Sequence, residues 1–244
     1  MEVIDPISGE RRIVEGDDGV LQALQNLADI VEVGDAGAVP EATQAALDMG
    51  IAPFDVLRDG LQAGLAVVGE RFKKNEAFIP EVLLTARAMH SGMEVLRPIL
   101  TKLGNEPLGT VVLGTVQGDL HDIGKNMVGM MLEGAGFKIH DIGVNVNVQT
   151  FVDKIRDLKA DLLCMSALLS TTMSMQGETI KAIKAAGTRS NTFRIMCGGA
   201  PVTEDYAKQS GADGFAPDAA SAVEVAKKLI DKECQPGFIS GVVG

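Results

Sequence analysis

In this 244-residue chain, Asp119, His121, Asp122 and Gly124 combine residue types and spacing that suit chemistry. They sit inside Gly109 to Gly136, which reads GTVVLGTVQGDLHDIGKNMVGMMLEGAG. An apolar, β-branched run (Val111, Val112, Leu113) opens the stretch and predicts a strand buried on both faces. Met127, Val128, Met130, Met131 and Leu132, followed by Gly134 and Gly136, predict a short helix with a glycine stop. The polar loop between them would lie at the carboxyl end of its strand, where open α/β sheets bind ligands.

Two nucleotide-binding readings fail on spacing. A phosphate loop needs G-x-x-x-x-G-K-[ST], but Gly118 and Gly124 enclose one residue too many and Asn126 follows Lys125. Two carboxylates in the loop would also repel phosphate, and the G-x-G-x-x-G dinucleotide fingerprint is absent. What remains is D-x-H-x-x-G: Asp119, His121, Gly124. A carboxylate beside a histidine can accept one ring N–H and free the other nitrogen as a metal ligand. One histidine cannot build a zinc site, which takes three or four protein ligands. It does suit a metal whose other positions belong to a macrocycle, haem or corrinoid. The same residues also describe a solvated loop histidine beside a helix-capping aspartate, the commoner meaning of so short a pattern, and context must choose.

The elements that must position this loop follow from periodicity. Strand patterns at 111–116, 137–141, 162–166, 193–197 and 214–216 alternate with helical patterns at 126–133, 149–159, 173–186, 203–210 and 219–231. Five βα units predict a parallel, flavodoxin-like sheet of order 2-1-3-4-5 with helices on both faces. A phosphoreceiver of the same architecture is excluded, since Cys164-Met165-Ser166 ends the third strand and no lysine follows the fifth. Ahead of this sheet, four amphipathic patterns predict an antiparallel four-helix bundle. They are Leu21, Leu24, Leu27 and Val31 up to Gly34; an alanine-rich segment from Pro40 to Met49; Phe54, Leu57, Leu61, Leu65, Val68 and Phe72; and Val82, Ala86, Met89, Met93 and Leu96 up to Pro98. Residues 1 to about 15 look like a surface lead-in. The predicted division is a helical domain over 1–101, a linker over 102–107 and an α/β domain over 108–244.

Composition narrows the partners. A net charge of −11 argues against nucleic acid and anionic membranes, and the absence of tryptophan with a single tyrosine argues against a stacking platform for single strands. No apolar run approaches the ~18 residues of a membrane span. The start MEVIDPISGE is acidic and lacks an apolar core, which predicts a cytoplasmic protein. Cys164, Cys197 and Cys234 show no C-x-x-C pairing and read as small buried hydrophobes.

Beyond D-x-H-x-x-G, Ser166-Ala167-Leu168 and Gly198-Gly199 follow in order. These three motifs resemble the cobalamin-binding domain shared by methionine synthase, the B12-dependent mutases and the corrinoid methyl-carrier proteins. Val68-Gly69-Glu70-Arg71-Phe72 and Ala77-Phe78-Ile79-Pro80-Glu81-Val82 resemble the helical cap of methionine synthase and the carriers. The resemblance implies a cobalamin or related corrinoid, with His121 as lower cobalt ligand and Asp119 bonded to its other ring nitrogen. It places Thr172 where methionine synthase extends that relay with a serine. Gly118, Asp122, Gly124, Leu168 and Ser170 join them as cofactor-binding candidates. Ser166, Gly198 and Gly199 would leave a slot for the nucleotide tail, with Ala219 at its far end. Ser170, Thr171 and Thr172 also suit a helix N-cap cluster. Glu70 and Phe78 would face the cofactor from the cap, and His90 and His140 read as structural.

The function so implied is a methyl carrier. It takes a methyl group on Co(I) from a substrate:corrinoid methyltransferase and passes it to a second methyltransferase that uses tetrahydrofolate or coenzyme M. A reductive activator would restore the cofactor, and the chain is not catalytic alone. Two alternatives stand beside it: the B12-binding subunit of an adenosylcobalamin-dependent mutase, which usually lacks the cap, and a B12-responsive regulator, which needs a DNA-binding element.

Overall fold

Each apolar stripe in the first part of the chain closes on another. The computed structural model describes residues 2–4, 11–13, 18–102, 107–187, 193–231 and 237–241. The chain divides into two compact units, Met1–Glu106 and Pro107–Gly244. Residues 103–106, most of the expected linker, lie outside the described residues, as do most of the lead-in and Cys234.

In the N-terminal unit, β1 (Glu2–Ile4) and β2 (Arg11–Ile13) pair antiparallel ahead of α1 (Asp18–Val33) and α2 (Val39–Asp48). A third helix begins as α3 (Pro53–Asp55), widens into a π-helical stretch at Val56–Gln62 and continues as α4 (Ala63–Lys73). Then comes α5 (Ile79–Lys102). Leu24, Leu27 and Val31 of α1 are buried with Leu57, Leu61, Leu65 and Val68, as the periodicity predicts. Phe54 is not, because the wider π turn between it and the rest of the stripe rotates it outward. Asp59 is buried within that turn, gripped by two nitrogens of Arg58 at 3.0 and 2.8 Å. Gly64 lets α1 approach closely, since a Cβ there would sit 2.4 Å from the Ala28 carbonyl oxygen. Pro98 does not end the last helix, contrary to expectation. Pro98 and Glu94, whose carbonyl loses its i+4 donor, both lie on the exposed side of the helix, while Leu100 stays buried.

The C-terminal unit alternates β3 (Thr110–Thr115), α6 (Ile123–Gly134), β4 (Lys138–Asp141), α7 (Val148–Leu158), β5 (Leu162–Ser166), α8 (Ser170–Ala185), β6 (Arg194–Gly198), α9 (Glu204–Ser210), β7 (Gly214–Phe215) and α10 (Ala219–Ile230). The order is β4-β3-β5-β6-β7, the predicted 2-1-3-4-5 arrangement, and all pairs are parallel. The expected five strands become six. Residues Ile239–Ser240 form β8 beside β7, and two residues are too short a run to show a period. Ser240 Oγ donates to Glu204 Oε2 at 2.6 Å, and Lys208 lies 5.0 Å from the Phe238 ring centroid, which holds this edge strand down. Val112, Phe151, Leu163, Ile180 and Ile195 fill the core on one face; Val111, Leu132, Leu162, Val225 and Leu229 fill it on the other.

Register is what the sheet contributes to function. Thr115 is level with Ser166, and Ser166 with Gly198. The chain therefore leaves the sheet toward D-x-H-x-x-G, S-x-L and Gly-Gly from three neighbouring strands at one height.

Candidate corrinoid site

The loop after β3 is built around one buried carboxylate. Asp119 is fully buried, and its two oxygens accept five hydrogen bonds. Oδ1 takes the His121 backbone N–H at 3.1 Å and the ring Nδ1 at 2.7 Å. Oδ2 takes the N–H groups of Leu168 at 2.8 Å and Leu169 at 3.2 Å, and the Thr172 hydroxyl at 2.7 Å. Burial pushes the Asp119 pKa up, but the bonds from Thr172, Leu168 and His121 outweigh it and hold the carboxyl well below the usual carboxylate range. The result is a fixed anion that accepts from Nδ1, so Nδ1 carries a ring proton and Nε2 is the nitrogen whose lone pair a neutral ring would offer. The His121 side chain is 51% exposed, which leaves that lone pair open to a ligand.

The backbone around it is braced from three sides. Thr115 Oγ1 donates to the His121 carbonyl at 2.9 Å. Asn145 donates its N–H to the Asp119 carbonyl at 2.9 Å and accepts the Gly118 N–H on Oδ1 at 2.8 Å. Gly118 (φ +83°) and Asn145 (φ +52°) both hold left-handed backbone, a conformation glycine and asparagine tolerate. Asp122 is the exposed N-cap of α6, and its carbonyl accepts the Asn126 N–H at 2.7 Å. Lys125, in the first turn of α6, is buried and ion-paired with Asp141 at the end of β4.

The predicted site residues of this unit fall around that loop. Leu168 contributes its backbone to Asp119 and exposes its side chain. The helix α8 starts three residues earlier than its apolar pattern, so Thr172 is a buried helical residue and Ser170 an exposed first one. No hydroxyl of that cluster caps the helix, whose N-cap is Leu169. Ser166 ends β5 half-buried, and its carbonyl accepts the Val116 N–H at 3.1 Å. At Gly199 (φ +122°) a Cβ would lie 1.9 Å from the Ala167 carbonyl oxygen, and at Gly198 it would lie 3.1 Å from the Ala216 oxygen. Ala219 is buried at the start of α10. A Cβ on Gly124 would meet open space. Glu70 and Phe78 belong to the N-terminal unit. Glu70 pairs with Lys73 at 3.2 Å, and Phe78 is exposed at the head of α5, its N–H bonded to Glu81 Oε2 at 2.9 Å. His140 sits on β4, where burial, then Lys138 and Lys154, lower its pKa.

Thr115, Asn145, Lys125 and Asp141 were not among the residues picked from sequence. Each acts on a partner in another element or through a backbone atom, and no local pattern marks such a partner.

The donor set fits a corrinoid. Among the described residues no three His, Cys, Asp or Glu side chains gather to hold a metal, so a metal at His121 must bring its other ligands with it. Leu120, Ile123, Leu168 and Leu169 leave large apolar surfaces exposed around the histidine, as a flat macrocycle requires.

Comparison with known proteins agrees. Two B12 binding domain families match, one over residues 109–226 and another over residues 23–97. A corrinoid protein of Desulfitobacterium hafniense is 39% identical over 216 residues, covering 87% of this chain and 100% of that one. The chain belongs to the corrinoid proteins. Trimethylamine corrinoid protein 1 of Methanosarcina acetivorans is 40% identical over 204 residues, covering 83% of this chain and 94% of its own. A cobalamin-binding protein from Desulfitobacterium hafniense superposes with a TM-score of 0.71 at 31% identity, covering 84% of this chain and 98% of that one. The methanol:cobalamin methyltransferase complex from Methanosarcina barkeri superposes with a TM-score of 0.76 at 28% identity, covering 91% and 83%. This corrinoid protein accordingly takes a cobalamin-type cofactor, and none of its described helices is long and apolar enough to cross a membrane.

Proposed function

We propose that this corrinoid protein carries methyl groups between two methyltransferases, with His121 as the lower cobalt ligand. The observation that carries the reading is the Asp119–His121 hydrogen bond at 2.7 Å, which fixes the ring through Nδ1 while the side chain stays half-exposed. When bound, a corrinoid supplies a low-valent cobalt nucleophile and the carrier for the methyl group. The chain's own residues do the rest. Asp119 holds the Nδ1 proton and fixes the orientation of the ring, as carboxylate partners of metal-bound histidines do. Thr172, Leu168 and Leu169 keep that carboxylate ionised. Ser166, Gly198, Gly199 and Ala219 present small side chains or none where the nucleotide tail would run. A His121→Asn protein that carried methyl at unchanged rates would overturn the ligand role.

Glu70 and Phe78 are proposed as cofactor-facing residues of the N-terminal unit. Relatives named for trimethylamine and dimethylamine support a methylated amine as the first donor to try. A substrate:corrinoid methyltransferase, a second methyltransferase with tetrahydrofolate or coenzyme M as acceptor, and a reductive activator complete the scheme. The deciding experiment is a visible spectrum after loading with hydroxocobalamin and desalting, beside His121→Ala. A retained corrinoid band whose position depends on His121 is expected. A folded but colourless wild-type protein would sink the reading.

A further inference from the structure

Gln176 follows Thr172 by four residues on α8, so the two side chains share one face of that helix. Both are buried, Gln176 completely. While Thr172 reaches Asp119, Gln176 Nε2 donates to the carbonyls of Met165 and Gly198, each at 3.0 Å. Those carbonyls stand on neighbouring strands, at the carboxyl ends of β5 and β6 where the ladder closes with Ser166 level with Gly198. One amide therefore ties α8 to two strands at once, a single turn from the residue that serves the Asp119–His121 pair. Its orientation is dictated, because a flipped amide would set Oε1 against two carbonyl oxygens. In this orientation Oε1 has no hydrogen-bond partner among the described residues. A buried amide with an orphaned acceptor is a cost that an apolar core side chain would not carry. Its contribution must lie in where it holds α8.

Thr172 shows why that placement matters. Its hydroxyl also lies 3.0 Å from the Leu169 carbonyl of its own first turn. A single hydroxyl proton cannot serve both acceptors well. The bond to Leu169 is local and survives any movement of α8, whereas the 2.7 Å bond to Asp119 needs the helix seated against the strand ends. We propose that Gln176 is a positioning residue for the His121 ligand: it registers α8 on β5 and β6 so that Thr172 donates to Asp119 and not to its own helix. This rests on the reading of His121 as cobalt ligand.

The test uses the full chain labelled with 15N-histidine, loaded with cobalamin and reduced to cobalt(II), whose electron paramagnetic resonance shows two-line nitrogen splitting when a histidine nitrogen is axially bound and three-line splitting when the cofactor's own base is. Wild type, Thr172→Val, Gln176→Met and the double variant are compared for the fraction with an axial histidine nitrogen. Both single variants are expected to lower it, and the double variant is expected to match Thr172→Val within about 1.5-fold, because no hydroxyl remains to be positioned. Where the methionine variant does not fold, Gln176→Asn replaces it, with the amide drawn back by one methylene and the same loss expected. A wild-type fraction in either single variant, or losses that multiply in the double, would overturn the proposal. Absence of the histidine splitting in wild type would instead overturn His121 as ligand.

Discussion

At the scale of the residue, the chemistry turns on how a fully buried carboxylate stays charged. Asp119 has no solvent, so every lone pair that matters must be met by protein, and the five bonds it accepts do so from two segments some fifty residues apart. Asparagine at this position keeps the shape but turns an NH₂ group on donors that cannot receive it. Asp119→Asn is expected to destabilise by about 2–3 kcal/mol, the usual worth of hydrogen bonds to a charged group, and denaturant unfolding would measure it. A loss below about 0.5 kcal/mol would mean the five bonds count for nothing net. The pH dependence has a definite sign. The folded-state pKa of Asp119 is depressed below its unfolded value, so its stabilisation is complete above the ordinary carboxylate range. It is lost as pH falls through that range toward the lower folded value. In Asp119→Asn this part of the acid-side slope should vanish while the rest persists.

At the scale of the element, what could be read from sequence was what repeats. Periodicity located the four helices of the first unit and the βα alternation of the second, because amphipathic faces and buried strands each impose a spacing. It missed β8, which is too short to have a period, and the π turn that swings Phe54 outward. It also started α8 three residues late, since Ser170 and Thr171 carry no apolar signal. D-x-H-x-x-G, S-x-L and Gly-Gly were legible as motifs, but their alignment at one height is a property of strand register. The brace from Asn145 and the clamp from Lys125 to Asp141 were not legible at all, being contacts between distant elements.

That clamp makes an asymmetric prediction. Lys125 is buried while its partner is partly open to water, with side-chain exposures of 3% and 38%. Asp141→Asn leaves a buried ammonium without a counter-charge, and should cost about 3 kcal/mol. Lys125→Met removes the buried charge and leaves a carboxylate that water can solvate, so it should cost under about 1 kcal/mol. Equal costs in chemical denaturation would show that α6 and β4 are not held by this pair. Gly199 constrains the same end of the sheet. A Cβ there would penetrate the Ala167 carbonyl, and the backbone lies at φ +122°. Gly199→Ala is expected to destabilise the C-terminal unit by more than about 2 kcal/mol, with crystal or solution structures showing β5 and β6 parted at that end.

At the scale of the whole molecule, the chain forms two compact units, and the loop that carries His121 belongs wholly to the second. A ligand that binds only the folded form stabilises by RT ln(1 + [L]/Kd), about 2.7 kcal/mol at a hundredfold excess over Kd. Cobalamin at that excess should therefore raise the unfolding transition of the 107–244 unit in calorimetry. His121→Ala separates ligation from folding. Its ring is half-exposed, and Asp119 keeps the backbone N–H of residue 121, those of Leu168 and Leu169, and the Thr172 hydroxyl when the ring is gone. The apo variant should consequently unfold close to apo wild type, whereas its shift at the same cobalamin concentration should be smaller, because the axial bond no longer favours the folded form. If the two proteins shifted equally, the corrinoid would be held by its ring and tail alone, and the buried Asp119 anion would serve the fold and not the metal.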